Sequence, residues 1–139
     1  MIVLDHIGIA VRSIEERLPL YCSLGLAVSA REEVPAQKVR VAFLPLAGGR
    51  LELLEPTGPE SPIAGFLARS GEGLHHICLV VADIHAAMAE LKRQGVVLVS
   101  DEPQAGADGS LICFVHPKSA GGVLLELSQP EGERSHGAR

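Results

Sequence analysis

The chain has 139 residues, 47% of them hydrophobic and 21% charged, with a formal net charge of −5. That suits one domain of ordinary size or two half-domains sharing a core, and an acidic balance without any basic run argues against a nucleic-acid binder. No stretch approaches the ~20 continuous apolar residues of a membrane helix, and the opening MIVLDHIGIAV carries an acid and a histidine inside its apolar run, with no cationic start, so it is not a signal peptide.

In chain order, the first element is an apolar strand over Val3–Val11, rich in Ile and Val. An amphipathic helix follows over Ile14–Leu24. Ser13 is placed as its N-cap, Glu16 stands at the third helical position for a capping box, and Gly25 sits where a C-terminal stop belongs. Three strands come next, Ala27–Val34, Lys38–Ala47 and Arg50–Glu55, the last pair turned at Gly48-Gly49. A short helix over Ser61–Ala68 then links to a strand over His75–Val81 and a helix over Ile84–Gln94, capped by Asp83 and stopped at Gly95. Strands Val96–Asp101, Ser110–His116 and Val123–Ser128 complete the pattern, with a turn at Gly121-Gly122 and a tail over Glu131–Arg139 expected to be disordered. Cys22, Cys78 and Cys113 are few, odd in number and widely spaced, which fits neither a disulfide framework nor a zinc knuckle. Cys78 and Cys113 lie in apolar runs and are expected as reduced core fillers, which points to the cytoplasm.

The chain repeats itself. DHIGIAVRSI at 5–14 matches HHICLVVADI at 75–84 with an offset of 70, and LELLEP at 51–56 matches LELSQP at 125–130 with an offset of 74. Order is preserved, so two copies of one βαβββ unit, about 3–57 and 73–130, are expected to bury their apolar faces together in a single domain. Side by side they would form a curved, cup-like mixed sheet of the α+β class.

Four residues stand out against this repeat. Period-two alternation puts His6, Gly8 and Ala10 on one face of the first strand and Ile7, Ile9 and Val11 on the other, which suits a helix. The same split recurs with His76, Cys78 and Val80. Glu52 and Glu126 each stand alone inside an apolar strand, where a carboxylate is costly unless paired or coordinated. Either glutamate by itself could lie on the solvent face of a half-buried strand. The coincidence of two histidines and two glutamates at equivalent repeat positions predicts a shared metal centre, with donors that suit Zn, Fe, Co, Mn or Ni. His75 aligns with Asp5 and must face the other way.

The motifs DHIGIAV, LELLEP, SPIAGFL, GEGLHHICLVV, DEP and FVHPKSAGGVLLEL span about residues 4–128. On these the chain resembles the vicinal oxygen chelate (glyoxalase-like) superfamily and, within it, the methylmalonyl-CoA epimerase family. The resemblance implies paired βαβββ modules, usually in a homodimer. It implies one divalent metal per subunit, Co2+ first, with Mn2+, Ni2+, Mg2+ or Zn2+ as alternatives. By position, His6, Glu52, His76 and Glu126 are the ligands. The implied reaction interconverts the 2R and 2S forms of methylmalonyl-CoA by C2 proton abstraction through a metal-stabilised enolate, a step in propionate metabolism. Glu126 is the implied base on one face. The position that carries a second glutamate in several relatives is Val41 here, so Glu52 or a water serves the other face. Lys118, Ser110 and the Gly106–Gly109 loop, and Lys38 or Arg40 are candidates for contacting the acyl-CoA substrate. Alternatives on the same fold are a glyoxalase I-type lyase and a non-catalytic ligand-binding protein, with no nucleic acid or membrane as partner in any case.

Overall fold

The computed structural model describes residues 2–132; residues 133–139, most of the expected tail, lie outside the described residues. The elements are β1 (Val3–Ala10), α1 (Ile14–Ser23), β2 (Ala30–Val34), β3 (Val39–Leu46), β4 (Gly49–Pro56), α2 (Pro62–Ser70), β5 (Gly73–Val80), α3 (Ile84–Arg93), β6 (Gln104–Ala105), β7 (Leu111–Val115) and β8 (Leu125–Gln129). This is βαβββ twice, with α2 between the copies. The chain divides into two compact units, His6–His75 and Met1–Asp5 with His76–Arg139.

In the first unit the strand order is β2-β3-β4-β1, with β1 and β4 parallel and the other neighbours antiparallel. The first helix starts as its sequence dictates. The Ser13 hydroxyl accepts the Glu16 N–H at 3.2 Å, and the Glu55 carboxylate at the end of β4 accepts the Ile14 N–H at 2.8 Å. These side chains satisfy N–H groups that a helix start cannot pair internally. Gly25, at φ +100°, makes the left-handed turn that ends it.

The sheet of this unit is covered on both faces. Val11, Ile14, Leu18, Ala42, Leu44 and Leu53 pack together on the α1 side, with Ile9 and Leu51 against them. Ala10, Val39, Val41, Leu54, Ile63 and Leu67 pack together on the α2 side, with Phe43 and Phe66 against them. Two-sided coverage explains why consecutive Leu53 and Leu54 are both buried. Glu72, just after α2, accepts the Arg12 N–H and the Arg17 Nε–H, each at 2.7 Å.

The second unit repeats this plan in the order β5-β8-β7-β6, with β5 and β8 parallel. The Asp83 carboxylate accepts the Ala86 N–H at 3.1 Å. The Gln129 side-chain oxygen accepts the Ile84 N–H at 2.9 Å, the counterpart of the Glu55 contact. Val81, Ile84, Met88, Cys113 and Leu127 form its helix-side core. Cys78 and Cys113 are free thiols and buried, as expected, while free Cys22 is exposed.

The strand expected over Val96–Asp101 does not form. Leu98 makes one antiparallel bridge to Val115, flanked by Val99 N–H to Phe114 C=O at 2.9 Å and His116 N–H to Val97 C=O at 2.8 Å. Beyond it the Ser100 hydroxyl turns onto the Glu102 carbonyl at 2.9 Å, and Pro103 has no N–H to continue a ladder. Pairing resumes only at the two-residue β6. The last strand begins at Leu125 rather than Val123, because Gly121 and Gly122 at φ +63° and +93° extend the preceding turn.

Candidate metal centre

In the first unit, β1 and β4 run parallel with Gly8 opposite Glu52. His6 lies two residues before Gly8 and so shares its face, which brings His6 Nδ1 to 3.2 Å from Glu52 Oε2. The second unit does the same with β5 and β8. Cys78 stands opposite Glu126, and His76 Nε2 lies 3.0 Å from Glu126 Oε1. All four residues are buried, at 5%, 6%, 8% and 7% exposure for His6, Glu52, His76 and Glu126. Within each unit a buried carboxylate stands against a buried imidazole, and oxygen and nitrogen donors of this kind are chemically suited to a divalent cation.

The surroundings of the two glutamates differ. Across the β3–β4 pair Glu52 faces Phe43, and across β7–β8 Glu126 faces Phe114. Arg50, on the same face of β4 as Glu52, donates from Nε at 2.8 Å and lies at 2.7 Å from Nη2 to the same oxygen, Oε2. Its guanidinium sits over the Phe43 ring, 5.3 Å from the centroid. In the second unit the Phe114 ring instead meets the His76 imidazole edge to face, with centroids 6.1 Å apart. Burial, and then the Glu126 charge, push the Cys113 thiol up from its ordinary value, which keeps it a protonated filler.

Val41 is buried in the α2-side core opposite Leu54, one same-face position from Phe43. The face that carries His6 and Glu52 therefore presents an apolar group where a second base is sought. Lys38 is exposed in a left-handed conformation at φ +52°, with Nζ 3.8 Å from a Glu60 carboxylate oxygen. Arg40 pairs with Glu55. Lys118 is exposed in the Pro117–Ser119 turn, where its N–H is accepted by His116 Nδ1 at 3.1 Å. Ser110 is buried, and its hydroxyl donates to the Ala107 carbonyl at 2.8 Å. Arg50 is the residue that sequence reasoning passed over. Its signal was present, since a cation two residues before a strand glutamate must share its face, but the repeat offers no matching residue.

A model of the Glyoxalase/Bleomycin resistance protein/Dioxygenase superfamily matches residues 5–114, and the chain belongs to that superfamily. The human mitochondrial methylmalonyl-CoA epimerase is 43% identical over 128 residues, covering 91% of this chain and 73% of that protein. The ethylmalonyl-CoA/methylmalonyl-CoA epimerase of Cereibacter sphaeroides is 45% identical over 129 residues, covering 91% and 96%. A solved methylmalonyl-CoA epimerase in complex with methylmalonyl-CoA and NH4+ has a TM-score of 0.88 at 39% identity, covering 94% of this chain and 95% of that one. Within the superfamily, the chain is a member of the methylmalonyl-CoA epimerase family.

Proposed function

We propose that this protein interconverts the 2R and 2S epimers of methylmalonyl-CoA. The observation that carries the reading is the duplicated pair of buried contacts, His6 with Glu52 and His76 with Glu126, in a chain 43% identical to the human epimerase. The two repeats, about residues 3–57 and 73–130, act as one domain. His6, Glu52, His76 and Glu126 together hold one divalent ion, Co2+ first among Co2+, Mn2+, Ni2+, Mg2+ and Zn2+. When bound, that cation supplies Lewis-acid stabilisation of the substrate enolate.

The chain's own residues do the proton work. Glu126 accepts the C2 proton on one face, and the electron pair left behind delocalises into the thioester carbonyl. Glu52 serves the opposite face, because Val41 has no proton to give or take. Positioned acid–base groups of this kind contribute about 10²–10⁴-fold each. Burial of both pairs keeps water from competing for the carboxylates. Lys118, Lys38 and Ser110 are the groups assigned to the acyl-CoA, with Ser110 exchanging its Ala107 partner for the substrate. The working form is a homodimer, and its compartment is the cytosol, in keeping with the free cysteines.

Incubation with methylmalonyl-CoA and Co2+ in deuterated water tests the reaction. Deuterium at C2, matched by epimer interconversion, is the expected result. No exchange at C2, or S-lactoylglutathione formed from methylglyoxal and glutathione, contradicts it.

A further inference from the structure

We propose that Arg50 is a positioning residue that fixes the orientation of Glu52 and so makes the two halves of the metal centre unequal; this rests on the reading of His6, Glu52, His76 and Glu126 as one centre. The halves match closely at this level. Both glutamates lie opposite equivalent residues of the parallel strand, Gly8 and Cys78, and opposite equivalent phenylalanines of the antiparallel one. The 74-residue offset that carries Glu52 onto Glu126 carries Arg50 onto Leu124, whose side chain has neither charge nor donor.

The grip on Glu52 is two-pronged. Nε and Nη2 converge on Oε2 at 2.8 and 2.7 Å, and the guanidinium plane is backed by Phe43. The arginine side chain is only 23% exposed and that of Glu52 only 7%. A planar fork seated on a ring holds its partner in one geometry, which a flexible ammonium on a four-carbon stem does not. Partners of this sort, behind a metal ligand, typically set metal affinity by 10–100-fold through ligand orientation. Arg50 also offsets one carboxylate charge where the centre would otherwise gather two.

Arg50→Lys retains the charge and loses the fork. Co2+ titration of metal-free protein by calorimetry is expected to show affinity weakened about 10–100-fold, with a changed visible absorption spectrum of the Co2+-loaded form as the coordination of Glu52 alters. The kcat for epimerisation is expected to fall about tenfold with KM unchanged. Arg50→Gln is a second route to the same spectral change should the lysine variant fold poorly, and Arg17→Lys, remote in sequence and paired with Glu72, controls for loss of any arginine. Wild-type Co2+ affinity and an unaltered spectrum in both Arg50 variants would overturn the proposal. Failure of the wild-type protein to bind Co2+ would instead bring down the metal centre itself, and this assignment with it.

Discussion

The first and second halves of this chain share the hydrogen bonds around their parallel strand pairs and helix starts, and part company around their carboxylates. Val11 N–H reaches the Leu54 carbonyl and Val81 N–H the Ser128 carbonyl, both at 2.9 Å. The Ile14 and Ile84 amides are each capped from the end of the parallel strand, by Glu55 and by Gln129. Yet Glu52 is clasped by an arginine on a phenylalanine, while Glu126 has a leucine at the corresponding place and its histidine leans on the phenylalanine instead. The first sheet also carries α2 on its histidine-bearing face. A duplicated fold thus holds backbone registers constant, because a one-residue slip would turn every core residue outward, and leaves the side chains around the ligands to differ.

Neutralising each glutamate in turn is expected to have the largest effect. Glu126→Gln is expected to slow epimerisation by about 10²–10⁴-fold. Glu52→Gln keeps an oxygen that can ligate but loses the base on the second face, so it too is expected to cost about 10²–10⁴-fold, with weaker Co2+ binding besides. A loss of tenfold or less for Glu52→Gln in steady-state assays would remove Glu52 as the second base. Next in size are the matched core leucines. Leu53→Ala and Leu127→Ala should each cost about 2–5 kcal/mol by denaturant unfolding, with Leu53 the larger because its site is fully enclosed. Smaller still are the matched helix caps. Ser13→Ala and Asp83→Ala should each remove about 1 kcal/mol, and a clear inequality between them would show that one helix is secured by other means.

The smallest effect distinguishes the halves by pH. Glu72 has its carboxyl held below its ordinary value of 4.5, first by the Arg12 N–H and then by the Arg17 side chain, against a raising effect of burial. A depressed folded-state value means the contribution is present above 4.5 and fades as pH falls through the lower folded value. Glu72→Gln should therefore reduce stability slightly at neutral pH and flatten the acid limb of the stability profile.

Much of this organisation was legible in the sequence, for identifiable reasons. Ser13, Asp83, Gly25 and Gly95 delimit α1 and α3 because helix ends demand particular chemistry, and the two LEL motifs locate β4 and β8. His6 and His76 stood out because they break apolar strands at equivalent places. The segment Val96–Asp101 misled because its apolar run looks like a strand, whereas Ser100 and Pro103 end the pairing after a single bridge. The inward hydrogen bond of Ser110 could not be read, since a hydroxyl's partner depends on the loop's path. Arg50 escaped because the repeat draws attention to what is duplicated, and Leu124 does not duplicate it.

Metal content of the Co2+-reconstituted protein, measured beside His6→Ala and His76→Ala, decides whether the proposed ion is shared by the imidazoles and carboxylates of both repeats. One tightly held ion per chain, lost when either histidine is removed, is the expected result. Two ions per chain, or a histidine variant that retains Co2+ with undiminished affinity, would refute a shared ion.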